Sequence, residues 1–361
     1  MGPQNRREAV LTGAEPAEAR LSVPEEVAGR DIVVVGASAG GVEALRKLAE
    51  TLPRELPAAV FVVLHIPPTD TSVLPDILDR AGRLPAKHAS DREPVVAGRI
   101  YVAPPDFHML LEAGTVRVVR GPRENGHRPA VDTLFRSAAA AYGARVMGVV
   151  LSGTLDDGSA GLRTIKARGG LAVVQDPDEA IYPDMPANAR SHADPQHCLR
   201  IAEIGDLIAE IARGAGPVLR EESMEDTHME YDSIEEATNE LGPPTALTCP
   251  ECGGALWDVT EGGLVRFRCH VGHSYSAASV LTQQAGDLER SLWTAVRALQ
   301  ERATMARRVA RRMRAVHSTR RLEDQARRAE ADAERIRSVI GHLEALPELT
   351  VDVKQAASDA R

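Results

Sequence analysis

The chain has 361 residues, 43% of them hydrophobic but only 3% aromatic, and a formal net charge of −9. That length admits one large domain and smaller pieces, with a core resting on Val, Leu, Ile and Ala. The acidic balance argues against broad phosphate binding to nucleic acid, and no run of about 18 apolar residues exists to insert in a membrane.

Residues 1–29 carry basic residues with no apolar run behind them, so they read as a disordered tail and not as a signal peptide. Gly2 does not open a myristoylation motif, because Arg6 stands where Ser or Thr is required. A cytoplasmic setting is therefore expected, where thiols stay reduced, and the four cysteines read as metal ligands before they read as disulfides.

From residue 30 to 216, β-branched runs alternate with Ala- and Leu-rich helical patterns. Asp31–Val35 and Ala59–Leu64 read as buried strands, with a helix over Val42–Leu52 between them. Arg99–Ala103 and Thr115–Val119 read as strands around a turn at Gly114. Asp132–Tyr142 reads as a helix. Val146–Leu151 and Leu171–Gln175 read as strands bracketing a helix over Gly161–Ala167. Continuous apolar strands with intervening helices predict an α/β fold with a doubly wound, mainly parallel sheet.

Residues 217–244 form an acidic linker: between Glu221 and Glu240 lie nine acidic residues and no Lys or Arg, with a short helix allowed over Ile234–Leu241. Residues 245–276 read as a small β-rich module, 277–346 as a helical, coiled-coil-like tail, and 347–361 as a terminal tail. In the helical region Leu292, Leu299, Ala306 and Met313 recur every seven residues, interleaved with Val296, Ala303 and Ala310. Leu322, Ala329, Ile336 and Leu343 repeat the spacing, interleaved with Ala326, Ala333 and Ile340. The register breaks across His317–Arg321, which predicts a helical hairpin with Ser318 or Thr319 as a cap.

The sharpest motif is Gly36-Ala37-Ser38-Ala39-Gly40-Gly41, between the first strand and its helix. It fits G-x-S-x-G, in which small flanking residues permit a sharp turn that exposes the serine hydroxyl before unpaired helix N–H groups. A dinucleotide-binding turn would want glycine where Ser38 stands and an acid, not His65, closing the second strand. A third strand end supplies Asp156 and Asp157, either able to orient the imidazole; spacing does not choose between them.

In the module, Cys249 and Cys252 are followed by Cys269 and either His270 or His273, with His273 favoured because Gly272 frees the turn before it. Such a set of four protein ligands suits a closed, structural zinc site. So short a segment would draw its folding energy from metal, and the acidic linker predicts that it stands apart from the larger domain. Truncation near Asp232 is then expected to leave an active domain. Cys198 reads as a buried small hydrophobe.

These residues resemble the chemotaxis-type protein-glutamate methylesterases (CheB-type) from about Arg30 to Gly214. The resemblance lies in GASAGGVEAL at 36–45, LHIPP at 64–68, APPDFHM at 103–109, HRPAVDTLFRSAA at 127–139, LSGTLDDGSAGL at 151–162 and MPANA at 185–189. It implies Ser38 as nucleophile, His65 as base and Asp157, the aspartate directly before glycine, as orienting acid. It places Ala39 and Thr154 near the oxyanion region and His108, Arg128, Asp132 and Met185 near the substrate cleft. Ala39 stands where the family often has threonine, and Gly153-Thr154-Leu155 where it often has Gly-Met-Gly.

The implied activity is hydrolysis of glutamate γ-methyl esters on methyl-accepting receptors, with glutamine deamidation alongside, and no cofactor for catalysis. The residues before the first strand are too few for a fused receiver domain, so control through one is not expected. A methyltransferase or response regulator is a candidate partner, and the helical tail a candidate for homo-oligomer formation. The alternative is a non-catalytic scaffold docking partners through the esterase-like domain and zinc-helix tail.

Overall fold

The structure, a computed structural model, describes residues 30–68, 72–214, 242–259, 264–312 and 316–344. The two expected tails, most of the acidic linker with its Ile234–Leu241 helix, and Met313 lie outside these residues. The elements run β1 (Ile32–Ala37), α1 (Gly41–Thr51), β2 (Ala59–Leu64), α2 (Leu74–Ala81), β3 (Ala86–His88), β4 (Glu93–Pro94), β5 (Arg99–Val102), β6 (His108–Glu112), β7 (Thr115–Val119) and α3 (Val131–Tyr142). They continue with β8 (Val146–Val150), α4 (Ser159–Ala167), β9 (Leu171–Gln175), α5 (Asp184–Ala193), β10 (His197–Leu199) and α6 (Ile201–Arg213). The C-terminal region holds β11 (Pro244–Thr248), β12 (Ala255–Asp258), β13 (Arg266–Cys269), β14 (Ser274–Ser276), α7 (Ala277–Ala310) and α8 (Val316–Glu344).

Seven strands form one sheet in the order β10-β9-β8-β1-β2-β5-β3, and every pairing in it is parallel. Its central strands read as unbroken Val-rich runs because both faces are covered. Val33 and Val35 point into one core with α1, α2 and α6. Ile32 and Val34 point into the other with α3, α4 and α5. Each such fully buried aliphatic side chain stabilises the fold by about 1.5–3 kcal/mol. The chain moves from β1 toward β2 on one side and later places β8 on the other. The carboxyl ends of β1, β2 and β8 therefore border a switch point, where open parallel sheets carry their sites.

Three expectations change. Arg99–Val102 and Thr115–Val119 do not meet around Gly114: β5 belongs to the large sheet, while β7 pairs with β6 and β4 in a separate antiparallel sheet. The Gly114 turn joins β6 to β7, and Met109 and Leu111 of β6 fill the core beneath. Cys198 is exposed and not buried, because it lies on β10, the last strand of the sheet. Ser318 and Thr319 lie inside α8, past its first residue Val316.

The two long helices pack along the two seven-residue stripes. Ala303 and Ala306 meet Ala326 and Ala329, flanked by Leu299 and Leu322. Val296 meets Ala333 and Ile340, flanked by Leu292 and Ile336. An Arg307–Glu330 ion pair bridges the helices. Their reversal lies between Ala310 and Val316, so the turn comes before the residues expected to cap it.

Candidate active site and metal centre

Ser38 directly follows β1, in the tight turn before α1. Gly40 occupies the left-handed region at φ 69°, and a Cβ there would lie 2.8 Å from the Ser152 hydroxyl oxygen, so glycine is required on both counts. The Ser38 backbone N–H donates to the Ser152 carbonyl at 3.0 Å, tying the β1 end to the β8 end. The Ser152 hydroxyl in turn donates to the Ala39 carbonyl at 2.9 Å.

His65 follows β2. Its Nδ1 lies 3.1 Å from Ser38 Oγ and its Nε2 lies 2.8 Å from Asp157 Oδ2. The two ring nitrogens are used the opposite way round from the serine-protease arrangement, in which Nε2 faces the serine. The neutral tautomer that fits carries its proton on Nε2, donates it to Asp157 and leaves Nδ1 free to accept from Ser38.

Asp157 is buried, 2% exposed, and its carboxylate is held from several sides. Besides His65 it accepts from Val131 N–H at 2.7 Å and Asp132 N–H at 3.1 Å, the first turn of α3. It also accepts from Gly158 N–H at 3.0 Å and from the Asn125 side-chain amide at 3.0 Å. Burial alone would raise its pKa. The hydrogen bond from His65, the neighbouring His65 and His127 rings and the Val131 N–H outweigh burial and hold the group below the ordinary carboxylate range. Asp156 turns elsewhere: its carboxylate accepts from the Ser276 hydroxyl at 2.7 Å.

The remaining expected residues frame the site. His108 is fully buried, with Nε2 at 2.8 Å from the Pro122 carbonyl and Nδ1 accepting from Ala130 N–H at 3.3 Å. Asp132, 1% exposed, accepts from Gly161 N–H at 2.7 Å. Met185 is buried against Gly153, which itself abuts Ser38. The polar atoms of His108 and Asp132 are thus engaged inside the protein, and Met185 is buried beside them in the frame of the site. Arg128 forks onto Asp106 and reaches the Gly121 carbonyl at 2.7 Å. Ala39 is half-buried, and Thr154 is exposed in the loop that follows β8.

Two residues that the sequence reading did not single out stand at the centre. His127 stacks face to face on His65, with ring centroids 3.7 Å apart and planes within 7°. Burial first, and then the charge of His65, push the pKa of His127 down to about 3, so its ring stays neutral. Asn125 holds Asp157 as described. Both belong to one tight turn: Glu124 and His127 exchange backbone hydrogen bonds of 3.1 and 2.8 Å, with Asn125 at φ 53° and Gly126 at φ 79°. Asn-Gly at two positive-φ positions is the signature of a type I′ turn, and it was available in the sequence.

The Cys/His sheet, β11-β12-β13-β14, is antiparallel throughout. Cys249 and Cys252 occupy one turn, closed by Cys249 N–H to the Gly254 carbonyl at 2.7 Å. Cys269 and His273 occupy another, where Gly272 takes φ 100°. The ligand atoms of Cys249, Cys252, Cys269 and His273 all lie within 4.8 Å of one another, forming a candidate metal site. His270 is exposed and outside the group. The Tyr275 hydroxyl lies 3.5 Å from Cys249 Sγ, an outer contact of the kind that orients a ligand.

This sheet does not stand apart. β14 lies against the Asn125 turn: Asn125 N–H donates to the Ser274 carbonyl at 2.7 Å, and Ser276 N–H donates to Asn125 Oδ1 at 2.9 Å. Arg266 of β13 pairs with Glu124 and Asp132, and Arg123 pairs with Glu251 at 2.9 Å. The expected separation across the acidic linker thus gives way to a docked arrangement beside Asp157.

A family model described as CheB methylesterase matches residues 33–208. The chain is 36% identical over 200 residues to protein-glutamate methylesterase/protein-glutamine glutaminase 2 of Methanosarcina mazei, covering 53% of this chain and 54% of that protein. A protein of Leptospira interrogans (strain Fiocruz L1-130), whose name assigns the same two activities provisionally, is 36% identical over 178 residues, 49% of this chain and 92% of that protein. The crystal structure of the Thermotoga maritima CheB methylesterase catalytic domain is 33% identical, with 51% of this chain and 99% of that chain covered and a TM-score of 0.49. The chain spans about half the length of the Methanosarcina relative, 54%, but nearly all of the Leptospira protein, 92%. On that coverage and identity, the chain belongs to the CheB methylesterase family of hydrolases.

Proposed function

We propose that the protein hydrolyses glutamate γ-methyl esters on methyl-accepting receptor proteins. The observation that carries this reading is the in-line order Ser38 Oγ, His65 and Asp157, with gaps of 3.1 and 2.8 Å. Ser38 Oγ attacks the ester carbonyl while His65 Nδ1 takes its proton. Asp157 stabilises the imidazolium through Nε2–H. Collapse of the tetrahedral intermediate breaks the bond to methoxide, which takes the proton from His65 and leaves as methanol. Water, deprotonated by His65, then cleaves the acyl-serine to give glutamate and restore Ser38. The same steps on a glutamine side chain would release ammonia, the second activity in the relatives' names. Ala39, next to Ser38 in the chain, and Thr154, next to the Gly153 that abuts Ser38, are the candidates for backbone N–H support of the oxyanion.

Cys249, Cys252, Cys269 and His273 would hold a structural zinc ion. Three thiols and one imidazole on two tight turns are a donor set suited to tetrahedral zinc, with no position left for substrate. The ion would supply folding energy to the small sheet and take no part in the ester chemistry.

The test is methanol release from a methylated chemoreceptor. Ser38→Ala should lower the rate by roughly 10⁶-fold, as for loss of a serine nucleophile elsewhere, without changing the circular dichroism spectrum. Parent-level release by Ser38→Ala would refute the assignment.

A further inference from the structure

We propose that Arg266, carried by the Cys/His sheet, is a positioning residue for the Ser38–His65–Asp157 site. The inference rests on the hydrolase reading above. It extends that reading to a part of the chain beyond the family match, which ends at residue 208.

Arg266 is 4% exposed, although its own sheet has almost no core in which to hide a cation. Its guanidinium lies instead among the acids behind the active site. It donates to Asp132 Oδ2 at 2.8 Å and to Glu124 Oε1. Glu124 also pairs with Arg136 and accepts from the Thr133 hydroxyl at 2.9 Å. Glu124, Asp132 and Asp157, all buried, crowd one corner, and the guanidiniums of Arg136 and Arg266 supply the opposing charge. A buried carboxylate stripped of its counter-charge either takes a proton or moves.

Two routes lead from Arg266 to Asp157. Along the first, Asp132 is both the partner of Arg266 and a residue whose backbone N–H, next to that of Val131, binds the Asp157 carboxylate. Along the second, the Asn125 amide is shared between Asp157 at 3.0 Å and Asp132 at 3.3 Å. Beside Arg266, Ser276 N–H holds Asn125 Oδ1, which decides that the NH₂ end of the amide faces the carboxylates. The same turn presents His127 to the face of His65. Loss of Arg266 therefore loosens the acid and the stacked ring together, with no direct contact to Ser38 or His65.

The experiment uses the full-length protein loaded with cobalt(II), whose tetrahedral thiolate absorption reports the Cys/His site independently of turnover. Hydrolysis of a glutamate γ-methyl ester in a blocked peptide is measured for the parent, Arg266→Gln, Arg266→Lys and Ser38→Ala. Arg266→Gln should keep the cobalt absorption and KM while kcat falls on the order of 10²-fold, the loss expected when a reacting group is displaced by about 1 Å. Arg266→Lys, which keeps the charge but not the fork, should recover part of kcat. Parent kcat in Arg266→Gln with the cobalt absorption intact overturns the proposal. If Arg266→Gln does not fold, Arg266→Lys decides: reduced kcat at unchanged KM supports the proposal and parent kcat overturns it. An active Ser38→Ala removes the hydrolase reading and this inference with it, whereas an inactive Ser38→Ala beside a fully active Arg266→Gln removes this inference alone.

Discussion

The parallel sheet and the Cys/His sheet solve the same problem by different means. Strands β1, β2, β8 and β9 are buried along their whole length between two layers of helices. Every turn of α1, α3 and α6 adds aliphatic contact to one core or the other. Among the described residues, the Cys/His sheet has one small apolar cluster, Leu256 and Tyr275 with Cys249, Cys269 and Val280 of α7. A core of that size does not offset the conformational entropy of ordering four strands. The first region is stabilised by burial, whereas the second carries a candidate metal site and a docking surface. Dependence runs both ways but for different ends: the small sheet leans on the large one to fold, and the large one leans on the small one to align Asp157.

The most severe way to break this comparison is to take away a ligand. Cys249→Ser should abolish cobalt absorption and unfold β11–β14, since structural zinc sites of this type contribute about 10–16 kcal/mol of apparent binding energy to folding. Hydrogen exchange should show the amides of β12 and β13 unprotected while those of β1, β2, β8 and β9 stay protected. Protected β12 and β13 amides in metal-free Cys249→Ser would mean that docking alone holds the sheet. Truncation near Asp232 sharpens the same point. It should leave a folded parallel sheet, but with lowered activity, because Arg266 and Ser276 go with the tail.

Sharper still is the joint between the regions. Glu124→Gln leaves the buried Arg266 and the half-buried Arg136 without their shared carboxylate and should cost about 3–5 kcal/mol at neutral pH. Burial opposes ionisation of Glu124, but the charges of Arg136 and Arg266 overcome it and bring its pKa down to about 2 from the ordinary 4.5. A depressed carboxyl pKa contributes stability that is present above the unfolded value and lost as pH falls toward the folded one. The gap between parent and Glu124→Gln in urea midpoint should therefore close between pH 4.5 and 2. A gap that stayed constant across that window would show that Glu124 is held by packing and not by charge.

Much of this was legible in the chain, and the exceptions have physical causes. β1, β2, β8 and β9 announce themselves as continuous Val-rich runs, and Ser38 and His65 stand where two such runs stop. β6 was missed because His108–Glu112 follows a Pro-Pro segment and joins a sheet that the α/β pattern does not foretell. Asp156 and Asp157 are neighbours with equal chemistry; Leu155 at φ 62° begins the twist that sends one to Ser276 and the other to His65. Asn125 and His127 carried a signal, the Asn-Gly turn, but no strand-like runs flank it to mark a hairpin. Arg266 carried none: it meets Asp132 across 134 residues, and no spacing rule reaches that far. Local pattern specifies the region built by burial. The contact that joins the two regions is written only in three dimensions.

The gentlest test concerns His127, which stabilises by stacking while remaining neutral. Its pKa is pushed from 6.5 to about 3 by burial and then by the charge of His65, with Arg123 acting in the same sense and Asp157 against it. Below pH 6.5 the unfolded chain takes up a proton on this ring that the folded protein refuses until about pH 3. The unfolded state binds more protons across that window, so stability must fall as pH falls, by about 1.4 kcal/mol per pH unit for one such group. His127→Phe keeps a flat ring over His65 and removes the proton. Stability near pH 7 should change little, and the decline between pH 6.5 and 4.5 should flatten, before the Glu124 window begins. Urea midpoints of the two proteins, taken every half unit from pH 7 to 4.5, measure the difference. Curves that ran parallel would mean that His127 takes its proton in the folded state, and that the stack on His65 opens in mild acid.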